Sequence, residues 1–173
     1  VFVGVPKGSR WLFPPATFGT TDSPYRTVGQ AILGDLPELG SGAEAIDYCS
    51  GPVNEYQKLL RRGNPTLSNH RAPSHPQETV DRIRNTMPGD PMYASFKQRI
   101  RLHPDDPSPT QICGGIRPQF QLGHPTQARG LTIRERARIQ SFPDSYVFHG
   151  GGVQGRVQTG NAVPPLLAQS IAD

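Results

Sequence analysis

The sequence predicts a mixed α and β protein in which short helices and short strands are joined by long loops. Hydrophobic residues make up 34% of the 173 residues, and the chain contains 19 glycines and 19 prolines. This composition favours short elements, although the apolar content is above that of disordered chains. Helix-start signals recur along the chain, and short runs of alternating apolar and polar residues, typical of strands, lie between them.

The net charge and the number and spacing of the cysteines limit the classes of protein to which the chain can belong. The formal net charge is +4 and the isoelectric point is about 9.4, which suits a polyanionic partner. The chain has no run of about 20 apolar residues that could cross a membrane and no signal-peptide pattern. Its two cysteines form no CxxC pair and its five histidines have no helical HxxxH spacing. We therefore expect no disulfide framework and no metal site, in a reducing, cytoplasmic setting.

Two elements are predicted in the N-terminal part of the chain. Residues 1–5 form an apolar run stopped by Pro6, which is typical of a short buried strand. Thr27 and Gln30 have the spacing of a capping box and predict the start of a helix. Gly34 is suited to end that helix.

Two more helices and two strands are predicted in the middle of the chain. Ser50 is the predicted cap of the first helix, and a capping box of Ser74 and Gln77 begins the second. The apolar faces of the two helices consist of Val53, Tyr56 and Leu60 in the first and of Val80, Ile83 and Met87 in the second. Residues 99–102 and 110–113 alternate as short strands do.

The C-terminal part of the chain has the strongest local signals. Thr132 and Glu135 form a further capping box, and the helix that they begin must end before Pro143. Gly160 predicts a tight turn, because glycine adopts backbone conformations closed to other residues. The Pro-Pro pair at residues 164–165 suits the first turn of a final helix.

Two blocks in this C-terminal part resemble the ninth and tenth conserved motifs of DNA cytosine-5 methyltransferases of the bacterial restriction-modification type. They are LTIRERARIQSFPD at residues 131–144 and QTGNAVPPLLAQSIA at residues 158–172. Shorter resemblances relate VFVGV, at residues 1–5, to the strand of the eighth motif. YRTVGQAILGDLP, at residues 25–37, is similar to the family's link between the catalytic and target-recognition domains.

The resemblance implies three parts and a fold. Residues 1–37 would end the catalytic-domain region, residues 38–128 would form a target-recognition region, and residues 129–173 would return to the catalytic domain. The implied fold class is α+β, or mixed. It combines a small, loop-rich target-recognition domain with the edge strand and closing helix of an AdoMet-dependent methyltransferase α/β domain. The apolar stripe of the closing helix would be Val163, Leu167 and Ile171.

The groups that perform the chemistry in this family do not occur in the chain. In the family, a Pro-Cys step supplies the nucleophile, a Glu-Asn-Val step supplies the acid, and a Phe-x-Gly-x-Gly turn holds the cofactor. Here Cys49 follows Tyr48, and Cys113 follows Ile112. We therefore expect no catalytic residue in this chain and no methyl transfer by the chain alone, whether it is a fragment or the smaller subunit of a split enzyme.

The same resemblance implies binding residues for S-adenosyl-L-methionine and for double-stranded DNA. Asn161, Ala162 and Val163 would form part of the S-adenosyl-L-methionine pocket. For the basic helix, three interpretations remain open: a solvated face, a scaffold for the recognition region, and a phosphate contact. Glycines would let the backbone approach DNA closely. The residues expected to contact DNA are Thr110, Gly114, Gly115, Arg117, Arg134 and Arg99.

Base-contacting residues are harder to select, since Arg, Lys and Gln side chains in loops all suit the major groove. Each candidate is alternatively a solvated surface residue. Besides Arg99 and Arg117, the candidates are Arg71, Lys97, Arg101, Gln119 and Gln121.

Two function hypotheses follow, from different classes. In the first, the chain is the C-terminal portion of a DNA (cytosine-5-)-methyltransferase that acts only with an N-terminal half carrying the catalytic cysteine, in the bacterial cytoplasm and on the nucleoid. In the alternative, it is a stand-alone sequence-specific DNA-binding module without catalysis, for which salt-sensitive binding by the chain alone is expected. A truncated remnant with neither activity is a third, plainer possibility.

Overall fold

The computed structural model describes residues 4–113 and 121–172 and contains, within them, six helices and one small sheet. None of the helices in these two ranges is long and apolar enough to cross a membrane. In chain order, the elements are α1 Val28–Ile32, α2 Glu55–Arg61, α3 Gln77–Asn85, β1 Ile100–Arg101, β2 Leu122–Gly123, α4 Ile133–Ile139, α5 Gly152–Asn161 and α6 Pro165–Ala172.

The sheet consists of β1 and β2, which pair in parallel with Ile100 opposite Leu122. Single antiparallel bridges, between Gly123 and Gly130 and between Pro91 and Ile100, extend the pairing at both sides. The mixed α and β class with short elements is therefore confirmed. The strand predicted at residues 110–113 is wrong, because this segment has no strand pairing. The strand predicted at residues 1–5 lies mostly outside the described residues.

The main core lies between α1, α2 and the sheet. α1 contributes Val28 and Ile32, both 1% exposed, and α2 contributes Leu60, 2% exposed. Leu102 and Leu122, beside and within the sheet, complete the centre of this cluster. A smaller cluster joins Ile83 of α3 to Met92 and Tyr93. Helix α4 packs against both α1 and α5.

Two of the four helix starts predicted from a capping side chain are confirmed. The side chain of Thr27 accepts from the backbone of Gln30, and Thr132 accepts from the backbone of Glu135, each with the reciprocal bond of a capping box. These starts were predictable because a capping box depends only on residues three apart.

The other two predicted starts are wrong for identifiable reasons. The Ser50 hydroxyl donates to the Gly34 carbonyl at 2.9 Å, and α2 begins later, capped by the Asn54 side chain. Val53 therefore lies outside the helix and is 60% exposed. α3 has Pro76 at its N-cap position and no side-chain cap, and Met87 lies beyond the end of α3 and is exposed.

The C-terminal segment differs from the prediction at one point. Gly160 belongs to α5 rather than to a turn, and its φ is not positive. A Cβ atom at this position would overlap the backbone of Cys113, so glycine is required here by close packing. The final helix begins at Pro165, as the Pro-Pro pair predicts.

Candidate functional site

Helix α4 lies inside the protein although it is the most basic segment of the chain. Arg134, Arg136 and Arg138 are between 0 and 4% exposed, and so is Glu135. A solvated basic face is therefore excluded. Because buried charges must be paired or hydrogen-bonded, the partners of each arginine decide what the helix does.

Arg138 joins α4 to α1 through two buried carboxylates. Its Nη1 lies 2.6 Å from Asp35 Oδ1, and its Nη2 lies 2.6 Å from Asp144 Oδ2. Tyr48 adds a hydroxyl hydrogen bond to Asp144 at 2.8 Å. Burial acts to lower the pKa of Arg138, but the hydrogen bonds to Asp35 and Asp144 raise it above its usual value. The network thus keeps a full positive charge in the interior.

A second buried ion pair closes the N-terminus of α4. Both Nη atoms of Arg129 donate to the two oxygens of Glu135, at 2.9 and 2.7 Å. Glu135 also accepts from the Thr132 backbone as part of the capping box. Although burial opposes ionisation, the hydrogen bonds from Arg129 lower the pKa of Glu135 to about 2. The carboxylate is therefore ionised at neutral pH.

Arg134 is fully buried and its donors are used by the protein itself. Nε donates to the Ser68 carbonyl at 2.9 Å, and Nη2 donates to the Ser68 hydroxyl and to the Tyr146 carbonyl. The guanidinium lies 3.6 Å from Asp144. It thereby holds the loop of residues 68–70 against α4. This burial supports the scaffold interpretation of Arg134 over the phosphate contact.

Arg136 differs from the other arginines of α4, because no carboxylate in the described part of the chain lies beside it. Nε donates to the Thr159 hydroxyl at 3.0 Å, and Nη2 donates to the Ile112 carbonyl at 3.1 Å. No carboxylate of the described residues forms an ion pair with it. Burial, and next the charge of Arg156, lower the pKa of Arg136 to about 10. Arg136 therefore connects α5 with the segment that contains Thr110.

This segment, residues 110–113, is held without being part of the sheet. The Gln111 side chain donates to the Arg136 carbonyl at 2.9 Å. On the other side, Gln121 accepts from the Ile112 N–H at 3.0 Å and donates to the Thr110 carbonyl at 2.9 Å. The Thr110 side chain itself stays exposed. The structure therefore presents the Thr110 hydroxyl on a fixed backbone. Gly114, Gly115, Arg117 and Gln119 lie outside the described residues.

The other candidate DNA contacts occupy two different environments. Arg99 packs over the Phe96 ring, with its guanidinium carbon 4.3 Å from the ring centre, and Lys97 is exposed on the same loop. Arg101 instead points inward and donates from Nη1 to the Thr86 carbonyl at 2.8 Å, at the C-terminal end of α3. Arg101 is thus used to cap a helix, whereas the loop of Arg99 forms a basic and aromatic surface.

A cavity of about 580 Å³ lies between α4, α5 and the loop that follows residue 69. Arg136 and Arg156 line it together with His75 and Arg71. Arg71 pairs at 3.9 Å with Glu44, which also lines the cavity. Arg156 and His75 were not selected from the sequence. Arg156 could not be selected from its position on a helix, because helix α5 itself was not predicted.

The residues expected at the cofactor lie at the end of α5. Asn161 and Val163 are exposed, and Ala162 is half-buried as the C-cap residue. The cavity between α4 and α5 is not lined by any of these three residues.

Cys49 and Cys113 are exposed free thiols. Over residues 4–113 and 121–172, no group of three or more His, Cys, Asp or Glu side chains could hold a metal ion.

Comparison with known proteins identifies the family. Type II methyltransferase M.DdeI of Desulfomicrobium norvegicum is 35% identical over 99% of this chain, but the match covers only 48% of that protein. Type II methyltransferase M.AquIB of Picosynechococcus is 34% identical over 63% of this chain and is covered over 87% of its own length.

The fold agrees with a crystal structure described as that of a DNA modification methyltransferase encoded within an E. coli prophage. The TM-score is 0.65 at 24% identity, with 83% of this chain and 44% of that chain covered. The chain thus spans about half the length of M.DdeI and of this structure. A model of the C-5 cytosine-specific DNA methylase family matches residues 24–173. On these grounds, the chain belongs to the C-5 cytosine-specific DNA methylase family.

Proposed function

We propose that this chain supplies the target-recognition region and one wall of the S-adenosyl-L-methionine pocket of a DNA cytosine-5 methyltransferase. The observation that carries the proposal is the exposure of the motif-ten segment. Val163, one of the expected cofactor residues, is 61% exposed, and Leu167, on the helix that follows, is 48% exposed. Apolar side chains on a helix usually face a protein core. Here they face outward, as a surface that receives another segment would.

The partner in this proposal is a segment that carries the Pro-Cys and Glu-Asn-Val motifs, in the same polypeptide or in a separate subunit. The cysteine would attack carbon 6 of the target cytosine, and the acid would polarise the ring. Bound S-adenosyl-L-methionine would supply the methyl group. Asn161, Ala162 and Val163 would orient the cofactor from one side. A relative that this chain covers over 87% of its length is compatible with a separate subunit.

Recognition of duplex DNA would be performed by residues 38–128. Thr110 would bind a backbone phosphate through its hydroxyl, since phosphate contacts fix the position of a protein on DNA. Gly114, Gly115 and Arg117 would continue that contact, and Arg99 would approach a groove with the loop around Phe96. Arg134 is not included, because its donors are already used inside the protein.

Complementation tests this proposal. The chain would be mixed with the N-terminal half of a family member that carries both motifs, and transfer of labelled methyl groups from S-adenosyl-L-methionine to duplex DNA would be measured. We expect no transfer by either part alone and transfer by the mixture. Leu167→Asp should reduce the transfer strongly, whereas Leu59→Asp, at a similarly exposed position on α2, should not. Transfer by the chain alone, or equal loss in both variants, would contradict the proposal.

A second measurement separates recognition from scaffolding. Thr110→Val removes only a hydroxyl and should raise the KM for DNA while leaving the folded stability unchanged. Thr17→Val, also exposed, is the matched control. If the isolated chain binds a specific duplex tightly and the mixture never transfers methyl groups, the stand-alone DNA-binding module is the better description.

A further inference from the structure

Arg136 has a charge that nothing in the described chain neutralises. The other buried guanidiniums of this region have carboxylate partners: Arg129 has Glu135, and Arg138 has Asp35 and Asp144. Arg136 is 4% exposed and donates only to a hydroxyl and a carbonyl oxygen. Residues 114–120 contain no acidic side chain that could complete the pair. An unpaired buried charge is unfavourable unless a ligand pairs with it.

A second cation shares the cavity with Arg136. Arg156, on α5, is half-buried and lines the same space, and none of the described acidic residues forms an ion pair with it. Its charge is the second cause of the lowered pKa of Arg136, after burial. Two like charges on one wall destabilise each other, so the arrangement is favourable only when an anion is present.

The remaining charged groups of the cavity do not cancel this excess. Glu44 is a lining residue, but it pairs with Arg71, and both side chains are largely exposed. Burial, followed by the charges of Arg156 and Arg129, lowers the pKa of His75. The ring nitrogen Nε2 of His75 accepts from the Gly130 N–H at 3.0 Å, which fits a neutral ring. The net positive charge of the cavity therefore comes from the two guanidinium groups of Arg136 and Arg156.

We propose that this cavity is a phosphate-binding site in which Arg136 and Arg156 hold the anion. The inference rests on the proposed function in so far as the phosphate belongs to DNA, although the site itself would bind a phosphate group from any source. Arg136 has a guanidinium Nη1 with no hydrogen bond to the described residues, and guanidinium groups match phosphate oxygens in shape and charge. The consecutive glycines at residues 150–152 line the cavity without side chains, so they leave room for the anion.

The position of the site connects it with the recognition region. The same Arg136 guanidinium holds the Ile112 carbonyl, two residues from Thr110. An anion bound to Arg136 would therefore stabilise the segment that presents the Thr110 hydroxyl. A phosphate of the duplex would thus be bound by Arg136 and Arg156 and would at the same time order the neighbouring contact.

Two probes applied to the full 173-residue chain test the site. Inorganic phosphate is compared with chloride at equal ionic strength by thermal unfolding, and a random-sequence duplex of about 20 base pairs is titrated by fluorescence anisotropy over a range of salt concentrations. Arg136→Gln and Arg156→Gln remove the cations, and Lys58→Gln removes one charge from an exposed position outside the cavity. Since Arg136→Gln disturbs the interior, Arg156→Gln decides the outcome if the first variant does not fold.

We expect phosphate to raise the Tm of the unmodified chain and of Lys58→Gln, and to have no effect on Arg156→Gln. For DNA, the slope of log affinity against log salt should fall by about one unit in Arg156→Gln and be unchanged in Lys58→Gln. Stabilisation by phosphate without a change in the DNA slope would assign the site to a free phosphorylated ligand. Both responses unchanged in Arg156→Gln would overturn the site, while methyl transfer by the complemented mixture would still support the proposed function.

Discussion

Helix α4 is charged but buried, whereas the C-terminal helices α5 and α6 expose apolar side chains. In α4, Arg134, Glu135 and Arg138 are no more than 1% exposed. In α5 and α6, three apolar side chains are between 37 and 48% exposed, namely Val153, Val157 and Leu167. The charged side chains of α4 lie inside the protein and these apolar side chains lie at its surface, although the usual distribution is the reverse.

The two arrangements have different physical justifications. The α4 charges are tolerated because each of Arg129, Arg134 and Arg138 has carboxylate or carbonyl acceptors within the chain, which is the condition for burying a charge. Leu167 of α6 is 48% exposed, and we proposed above that another segment covers it. The comparison shows that Arg129, Arg134 and Arg138 are paired within this chain, whereas the exposed side of α6 is available to a partner.

The largest expected effect comes from removing the central cation of α4. Arg138→Met leaves the buried carboxylates of Asp35 and Asp144 without their main partner, and should lower the free energy of unfolding by about 3–5 kcal/mol. Urea unfolding measures this. Arg84→Met, which breaks an exposed pair with Asp81, is the control and should change stability by about 0.5 kcal/mol or less. Equal effects of the two substitutions would show that α4 is not internally paired.

The second largest effect is the loss of stability at low pH that we expect from the ion pair of Arg129 with Glu135. The pKa of Glu135 is lowered from 4.5 to about 2 in the folded protein. A lowered carboxylate pKa stabilises the fold above the unfolded value, and this stability is lost as the pH falls toward the folded value. We expect a loss of about 3 kcal/mol between about pH 4.5 and pH 2 from this group.

Glu135→Gln isolates that contribution. The variant keeps a side chain that can bond the Thr132 backbone, but it should be less stable at pH 7 and should show a shallower fall in stability below about pH 4.5. Stability measured by urea unfolding at several pH values checks this. A wild-type pH profile in the variant would assign the acid sensitivity to other carboxylates, of which Asp144 also has a lowered pKa.

The contact between α5 and residues 110–113 predicts a smaller effect. Gly160→Ala places a Cβ against the backbone of Cys113, and backbone atoms cannot move away as a flexible side chain can. We expect a destabilisation of about 1–3 kcal/mol. Gly152→Ala, in the same helix, meets nothing within 4 Å and should be neutral or slightly stabilising. Thermal unfolding of both variants makes the comparison; a neutral Gly160→Ala would mean that α5 does not pack on this segment.

The local features of the fold were predictable from the sequence, and the long-range ones were not. Capping boxes at Thr27 and Thr132 involve residues three apart, so they survive folding unchanged. The pair of Arg138 and Asp35 joins residues 103 positions apart, and no local pattern indicates it. Serine is a common helix cap, but in the folded protein the Ser50 hydroxyl donates to the distant Gly34 carbonyl instead.

The candidate site divides in the same way. Thr110 was selected as a DNA contact, and the residues at the end of α5 as cofactor contacts, because the sequences of these segments resemble those of the family. The burial of Arg134 and the lack of a carboxylate beside Arg136 were not predictable, since the three arginines of residues 131–144 look alike in sequence. Only the tertiary partners distinguish an arginine that holds the protein together from one that is available to an anion.

The smallest effect is expected at the surface of α6, and it separates the two regions most directly. Leu167→Gln replaces an apolar side chain that is 48% exposed, so in the isolated chain it should change the free energy of unfolding by about 0.5 kcal/mol or less. Leu60→Ala, at a position 2% exposed, should cost about 2–5 kcal/mol. If Leu167→Gln were as destabilising as Leu60→Ala, α6 would belong to the core of this chain. A neutral result in urea unfolding, together with lost methyl transfer in the complemented mixture, would place the contribution of Leu167 at the interface with the catalytic segment.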